Sequence, residues 1–241
     1  MILDFLKLPE KAIPQLSNNN RIPVKQLIEI GGFTGSEKRI IEKSIAMFQI
    51  KGIINEHSSS IWAYKDEIHN YEEVQIFLVE LKTTNDLTRL NELLHNLFPN
   101  PCLFVYQIGE KYTLSTALKR INKIDLSKSV IESIELSNLF ALDEKHISLL
   151  NKFTDKVEDL KQYYYLLNNI VAAEEVLNLT GNVPSEINES IKLLAHKIKN
   201  LIKQKKELES QLREADSMQE KMTIHMNIKK LDNELGRYIN G

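Results

Sequence analysis

The tripeptide Glu80-Leu81-Lys82 is the clearest candidate for catalytic chemistry in this sequence. In an extended strand, side chains two residues apart lie on the same face, roughly 6–7 Å from each other. A carboxylate in such a position can bind a divalent cation such as Mg²⁺ or Mn²⁺. A neighbouring lysine can then orient the attacking water or stabilise developing negative charge. The pair Glu80 and Lys82 therefore suggests metal-dependent hydrolysis as one hypothesis.

The Glu-x-Lys arrangement resembles the end of a core strand in restriction-type nucleases, and the predicted order of elements in residues 36–106 is similar to their core. Such enzymes need a second carboxylate, which the predicted hairpin would place near residues 58–60. No acid lies there, and Glu56 is the nearest. The sequence therefore favours a structural role, in which Glu80 and Lys82 each form a buried or edge salt bridge. A metal-dependent nuclease with an incomplete site is the alternative.

Lysines provide a second candidate, because residues 190–206 contain six of them and no carboxylate. Four share one face of the predicted helix, away from its apolar seam: Lys192, Lys199, Lys203 and Lys206. Like charges on one helix face repel each other. A phosphate backbone or an acidic protein is therefore a candidate ligand, and a solvated charged face is the favoured interpretation. Lys119 and Arg120 form a smaller basic cluster of the same kind.

A winged helix in residues 24–66 is a third candidate, with two helices followed by a β-ribbon. Its phosphate contacts would come from six basic residues: Arg21, Lys25, Lys38, Arg39, Lys43 and Lys51. Four acids are interspersed among them: Glu29, Glu37, Glu42 and Glu56. A helix packed on the sheet with a solvated, charged face is therefore the favoured interpretation.

The element that positions Glu80 is a predicted strand over residues 74–82. Both of its faces are mostly apolar, as in a central strand that is covered on two sides. Before it, the pattern predicts a helix at Val24–Ile30 and a second helix, capped by Ser36, that ends at Gly52. Short strands are expected at residues 53–54 and 61–64.

After this strand, the pattern predicts a helix at Leu87–Leu97 and a hairpin formed by residues 102–106 and 111–117, followed by a last strand at 130–136. Residues 1–138 are thus expected to form an α+β domain, a mixed sheet with packed helices.

The apolar period changes beyond this domain to steps of three and four, which is typical of coiled-coil seams. The runs cover Leu150–Val171, Ile187–Leu212 and Ile224–Tyr238. Ser217 and Glu220 have the spacing of a capping box between the last two. We expect a connecting helical region at 139–182 and an antiparallel coiled-coil hairpin at 183–241. Deleting residues 185–241 should then leave a folded sheet domain. A single bent helix used for dimerisation is the alternative.

Composition limits the function classes. The 241 residues carry a formal net charge of −2, so no global field draws the protein to nucleic acid. The single cysteine, Cys102, excludes an internal disulfide and a cysteine-rich zinc site. No apolar stretch reaches membrane-spanning length, and phosphate-loop and dinucleotide motifs are missing. We therefore expect a cytoplasmic protein without a cofactor and without a membrane segment.

Several stretches together resemble a bacterial family of unknown function. They are a Leu-Pro opening and residues 61–65, 75–82, 101–106 and 117–120, with a charged coiled coil at the end. Genes of that family lie beside helicases and DNA methyltransferases in restriction-like antiphage islands. The resemblance implies a defence setting and supplies no catalytic assignment. We therefore expect a non-enzymatic accessory subunit. Its partner would be a helicase, a methyltransferase or a second copy, and DNA is a further candidate ligand.

Overall fold

The computed structural model describes residues 2–6, 8–14, 20–125, 128–153 and 156–239. Its strands are β1 (Ile45–Ile54), β2 (Tyr64–Lys65), β3 (Asn70–Tyr71), β4 (Val74–Leu81), β5 (Cys102–Ile108), β6 (Lys111–Ile121), β7 (Ser129–Leu136) and β8 (Phe140–Ala141). Its α-helices are α1 (Val24–Gly31), α2 (Gly35–Ser44), α3 (Leu87–Leu97), α4 (Glu144–Leu150), α5 (Leu160–Thr180), α6 (Ser190–Glu214) and α7 (Met218–Ile239). Short 3₁₀ turns lie at Ile2–Leu6 and Glu10–Ala12.

The main sheet has six strands, five of them in the order β1-β4-β5-β6-β7, with β8 paired to β6. β4 is antiparallel to β1 and parallel to β5, and α3 provides the crossover. Alternating residues of β4 enter two different cores: Ile76 and Leu78 pack on the α5 side, and Phe77 and Val79 pack on the α3 side. The prediction of a central strand covered on both faces is therefore confirmed.

The second helix ends earlier than predicted. Thr34 rather than Ser36 caps α2, and it forms a capping box with Glu37. Residues 45–54 are not helical but form β1 along the edge of β4. An apolar run of this length fits helix and strand about equally well, and here tertiary pairing decided between them. Because β1 pairs with β4 and not with residues 61–64, the β-ribbon of the winged-helix hypothesis is missing from the described chain.

The run Leu150–Val171, predicted as a continuous seam, is divided between two helices. α4 ends at Leu150, and α5 begins at Leu160 after an Asp159 cap. α5 is buried on nearly every side, because it lies between the sheet and α6. The hydroxyl of Tyr164 accepts a hydrogen bond from Ala117 N at 2.9 Å and lies 2.8 Å from Cys102 O. α5 is therefore a core helix and not one limb of a coiled coil.

The last two helices form the expected antiparallel hairpin. Ser217 Oγ accepts a hydrogen bond from Glu220 N at 3.1 Å, so α7 begins at the predicted capping residue. Ion pairs join the limbs between Lys197 and Glu234 and between Lys205 and Asp232. The predicted α+β class with long C-terminal helices is confirmed. The divisions at 138 and 182 stay predictions, although α5 shares its core with the sheet.

Candidate functional site

Lys82 and Glu80 do not form the ion pairs that the sequence suggested. The ammonium of Lys82 donates a hydrogen bond to Glu42 O at 2.8 Å, at the C-terminal end of α2. A lysine there complements the exposed carbonyls and the dipole of the helix end. The half-buried carboxylate of Glu80 forms no ion pair or side-chain hydrogen bond with any described residue. Lys82 thus has a structural partner, whereas the Glu80 carboxylate has none in the described part of the chain.

The surroundings of Glu80 do not fit a divalent metal ion. Its neighbour on β1 is Met47, and Leu81 faces Ile45, so the adjacent strand end supplies no carboxylate. The second carboxylate was expected near residues 58–60, but they follow the opposite end of β1, where Ile54 faces Val74. Within the described ranges, no group of three or more His, Cys, Asp or Glu residues could hold a metal. We therefore derive no catalytic step from Glu80 and Lys82.

The predicted lysine stripe is divided into an inner and an outer half. The Lys192 ammonium lies 5.6 Å from the centroid of the Tyr165 ring, and burial lowers the pKa of this lysine. Lys199 forms an ion pair of 3.0 Å with the buried Glu175 of α5. These two lysines hold α6 against the body of the protein. Lys203 and Lys206 lie further along α6 and extend into solvent, and the Lys203 ammonium lies 3.8 Å from Glu207 Oε1.

Lys119 and Arg120 are both at the end of β6, but their environments differ. Lys119 is 5 % exposed, and its ammonium donates hydrogen bonds to the carbonyl oxygens of Phe98 and Asn100. Arg120 is much more exposed, and its Nε lies 3.9 Å from Glu132. Both residues line a cleft of about 290 Å³. The structure thus brings this predicted basic pair together at a concave surface.

A row of methionines on α7 was missed by the sequence reasoning. Met218, Met222 and Met226 are 75 %, 62 % and 62 % exposed, and their spacing of four residues places them on one side of the helix. We call these three side chains the methionine face. The spacing of the three methionines is visible in the sequence. The apolar seam of α7 was assigned to the opposite side, which contains the buried Ile224 and Leu235. Exposed apolar patches of this kind often mark interaction surfaces.

A buried acidic site was missed as well. The side chain of Glu174 is fully buried, and its Oε2 lies 3.8 Å from His146 Nε2. The other ring nitrogen of His146 lies 2.7 Å from Asp143 Oδ1. Burial raises the pKa of Glu174 to about 8, and the charge of Asp143 adds to this rise. No periodic pattern reveals such a site, because Asp143 and His146 belong to α4 and its cap, whereas Glu174 lies on α5.

Comparison with known families shows where the chain belongs. The model of a domain of unknown function, DUF4391, matches residues 6–235. The chain belongs to this family. No curated protein and no solved structure matches it. The DUF4391 match runs from the first 3₁₀ turn to Leu235 in α7, so the hairpin is part of the family unit just as the sheet is. No described helix is both long enough and apolar enough to span a membrane.

Proposed function

We propose that this DUF4391 chain is a non-enzymatic accessory subunit of a bacterial antiphage or restriction-like system. It binds a larger protein partner through the outer side of the α6–α7 hairpin. The methionine face is the observation that carries this proposal, because three large apolar side chains lie in solvent on one helix. Methionine is flexible and polarizable, and it is over-represented at surfaces that adapt to protein partners.

The position of the methionine face supports a partner outside the chain. The base of the hairpin is already covered, since Ile191, Ala195 and Ile198 of α6 pack against α5. Beyond Leu201, the two limbs pack mainly on each other, and the methionine face begins beside the turn at residues 215–217. A side chain exposed at this distance from the sheet does not contribute to the protein's own core.

The charges around the methionine face indicate the chemistry of the partner. Lys221, Lys229 and Lys230 are exposed and form no ion pair within the described chain. A complementary surface would therefore be apolar and bordered by carboxylates. A second copy of the same face would bring these lysines towards each other. This favours a different protein, for which a helicase or a DNA methyltransferase encoded beside the gene is the candidate class.

The proposal predicts that charge on the methionine face abolishes partner binding. We expect the variant Met218→Glu/Met222→Glu/Met226→Glu to keep its melting temperature, because these side chains are exposed. Its affinity for the co-expressed helicase or methyltransferase should fall at least about tenfold, which corresponds to roughly 1.4 kcal/mol. Co-purification followed by titration of the purified partners measures this change.

The control carries the same charges on the same helix. Gln219→Glu/Thr223→Glu/Asn227→Glu has the same spacing, but its side chains are rotated by about 100° around the axis. We expect this variant to bind like the wild type. Equal loss in both variants would indicate a general charge effect and contradict the proposal. Sedimentation of the chain alone tests the alternative, since methionine-dependent dimers would replace the helicase or methyltransferase with a second copy.

A further inference from the structure

The cleft at the end of the sheet has an unusual charge composition. It lies where β6 ends and β7 begins, beside the loop from α3 to β5, and its volume is about 290 Å³. Nine described residues line it: Asn70, Pro99, Asn100, Pro101, Lys119, Arg120, Ile121, Lys128 and Ser129. Three of these are cationic and none is a carboxylate. The lining is therefore strongly positive in a protein whose net charge is −2.

The buried ammonium of Lys119 is the central feature of this cleft. Its hydrogen-bond partners are two neutral carbonyl groups, those of Phe98 and Asn100. No carboxylate of the described chain lies within 4.0 Å of it. Burying a charge without an opposite charge is costly. The two carbonyls use two of the three ammonium protons, so one donor remains for a ligand in the cleft.

Arg120 and Lys128 add exposed donors at the rim of the cleft. Their side chains are 43 % and 71 % exposed; among the described residues, Arg120 is paired with Glu132 and Lys128 with Asp125. Neither acid lines the cleft. Arginine offers a planar fork of N–H groups that matches two oxygens of a phosphate, and lysine offers a point charge. The Ser129 hydroxyl, also in the lining, is a further donor.

We propose that this cleft binds a terminal phosphate group, held by Lys119, Arg120 and Lys128. The volume is at the lower end of the range for small-molecule sites, which suits one nucleotide unit. A free mononucleotide and the 5′-phosphorylated end of a nucleic acid strand offer the same phosphate chemistry. The cleft lies on the sheet and not on the α6–α7 hairpin, so this inference is independent of the proposed partner binding.

Calorimetric titration of the full-length protein tests the inference. Adenosine 5′-monophosphate is compared with adenosine, and a 5′-phosphorylated trinucleotide with its unphosphorylated form. We expect binding only when the phosphate is present, and the pair that binds more tightly identifies the source. The variant Arg120→Gln/Lys128→Gln should bind at least about tenfold more weakly, which corresponds to roughly 1.4 kcal/mol. Both residues are exposed, so this variant should fold normally.

Lys123→Gln is the matched control, since Lys123 is exposed in the same β6–β7 connection but does not line the cleft. We expect it to bind like the wild type. A second measurement follows the thermal stability of the protein, and it leaves the buried Lys119 unchanged. Inorganic phosphate should raise the melting temperature of the wild type at constant ionic strength, and the double variant should lose this rise. Equal affinity of the double variant and Lys123→Gln, or no binding of any phosphate probe by the wild type, would overturn the inference.

Discussion

Among single residues, Glu174 is a buried acid whose pKa lies well above its ordinary value. Its carboxylate lies 3.8 Å from His146 Nε2 and interacts with the charge of Asp143, and neither of its carboxyl oxygens has a hydrogen-bond partner in the described chain. Burial raises its pKa from 4.5 to about 8, because the ionised carboxylate would lose its hydration. The folded protein therefore keeps Glu174 protonated at a pH at which the unfolded chain has released this proton.

The resulting pH dependence has a definite sign. Between pH 4.5 and 8, the folded state holds one proton more than the unfolded state at this site. The contribution of Glu174 to the free energy of unfolding is therefore fully present below pH 4.5. It decreases as the pH rises, by up to roughly 1.4 kcal/mol per pH unit. Glu174→Gln remains neutral throughout, so we expect it to be more stable than the wild type at pH 8 and similar to it at pH 5.

Urea denaturation of both proteins at pH 5 and pH 8 measures this difference. Glu144→Gln is the control, because Glu144 is an exposed carboxylate one residue after Asp143. Its stability should follow that of the wild type at both pH values. If the difference between Glu174→Gln and the wild type were the same at pH 5 and pH 8, Glu174 would already be ionised in the folded protein.

At the scale of elements, α6 joins the hairpin to the rest of the protein. Its buried side packs on α5 at the base and on α7 further along, and Leu201 lies in the same core as Leu235 and Val176. We expect Leu201→Ala to lower the free energy of unfolding by ~2–5 kcal/mol, because it leaves a cavity between packed helices. Thermal and urea unfolding measure this loss.

Leu193 provides the comparison within the same helix. It is 74 % exposed, so the same Leu→Ala change removes little buried surface. Leu193→Ala should change the free energy of unfolding by less than about 0.5 kcal/mol. Similar losses in the two variants would show that α6 is stabilised by helix propensity, which both substitutions change alike, rather than by packing.

At the scale of the whole molecule, the base and the tip of the hairpin have different roles. The structure revises the expectation that residues 185–241 can be removed without damage. Without α6, the apolar side of α5 that includes Ala172, Val176 and Leu177 would lie in solvent. We now expect this truncation to unfold or aggregate.

Removing the tip alone should be tolerated. The side chains of Lys205 and Asp232 lie 2.6 Å apart, so a short Gly-Ser linker can replace residues 206–231. We expect this variant to keep the sheet and the packing of α6 on α5, and to lose partner binding with the methionine face. Circular dichroism melting and co-purification test both parts. Retained binding by the tip deletion would place the partner surface elsewhere.

Local signals in the sequence predicted several elements correctly. β4 follows from an apolar run too short for a helix, and α3 from leucines at helical spacing before two prolines. The β5–β6 hairpin turns at Gly109, whose φ of 58° favours glycine. α7 begins at the capping residue Ser217. Each of these features depends on residues within one turn or one strand, so the sequence determined them by itself.

Tertiary structure decided the features in which a surface is covered by a distant part of the chain. Residues 45–54 could form a helix or a strand, and the free edge of β4 selected the strand. The four lysines of the stripe were predicted on one face of α6, and contacts with α5 distinguish Lys192 and Lys199 from Lys203 and Lys206, which lie in solvent. Lys119 was expected on the surface, and the end of α3 buried it. Periodicity records which side chains are apolar or charged, but contacts between residues far apart in sequence decide which of them meet water.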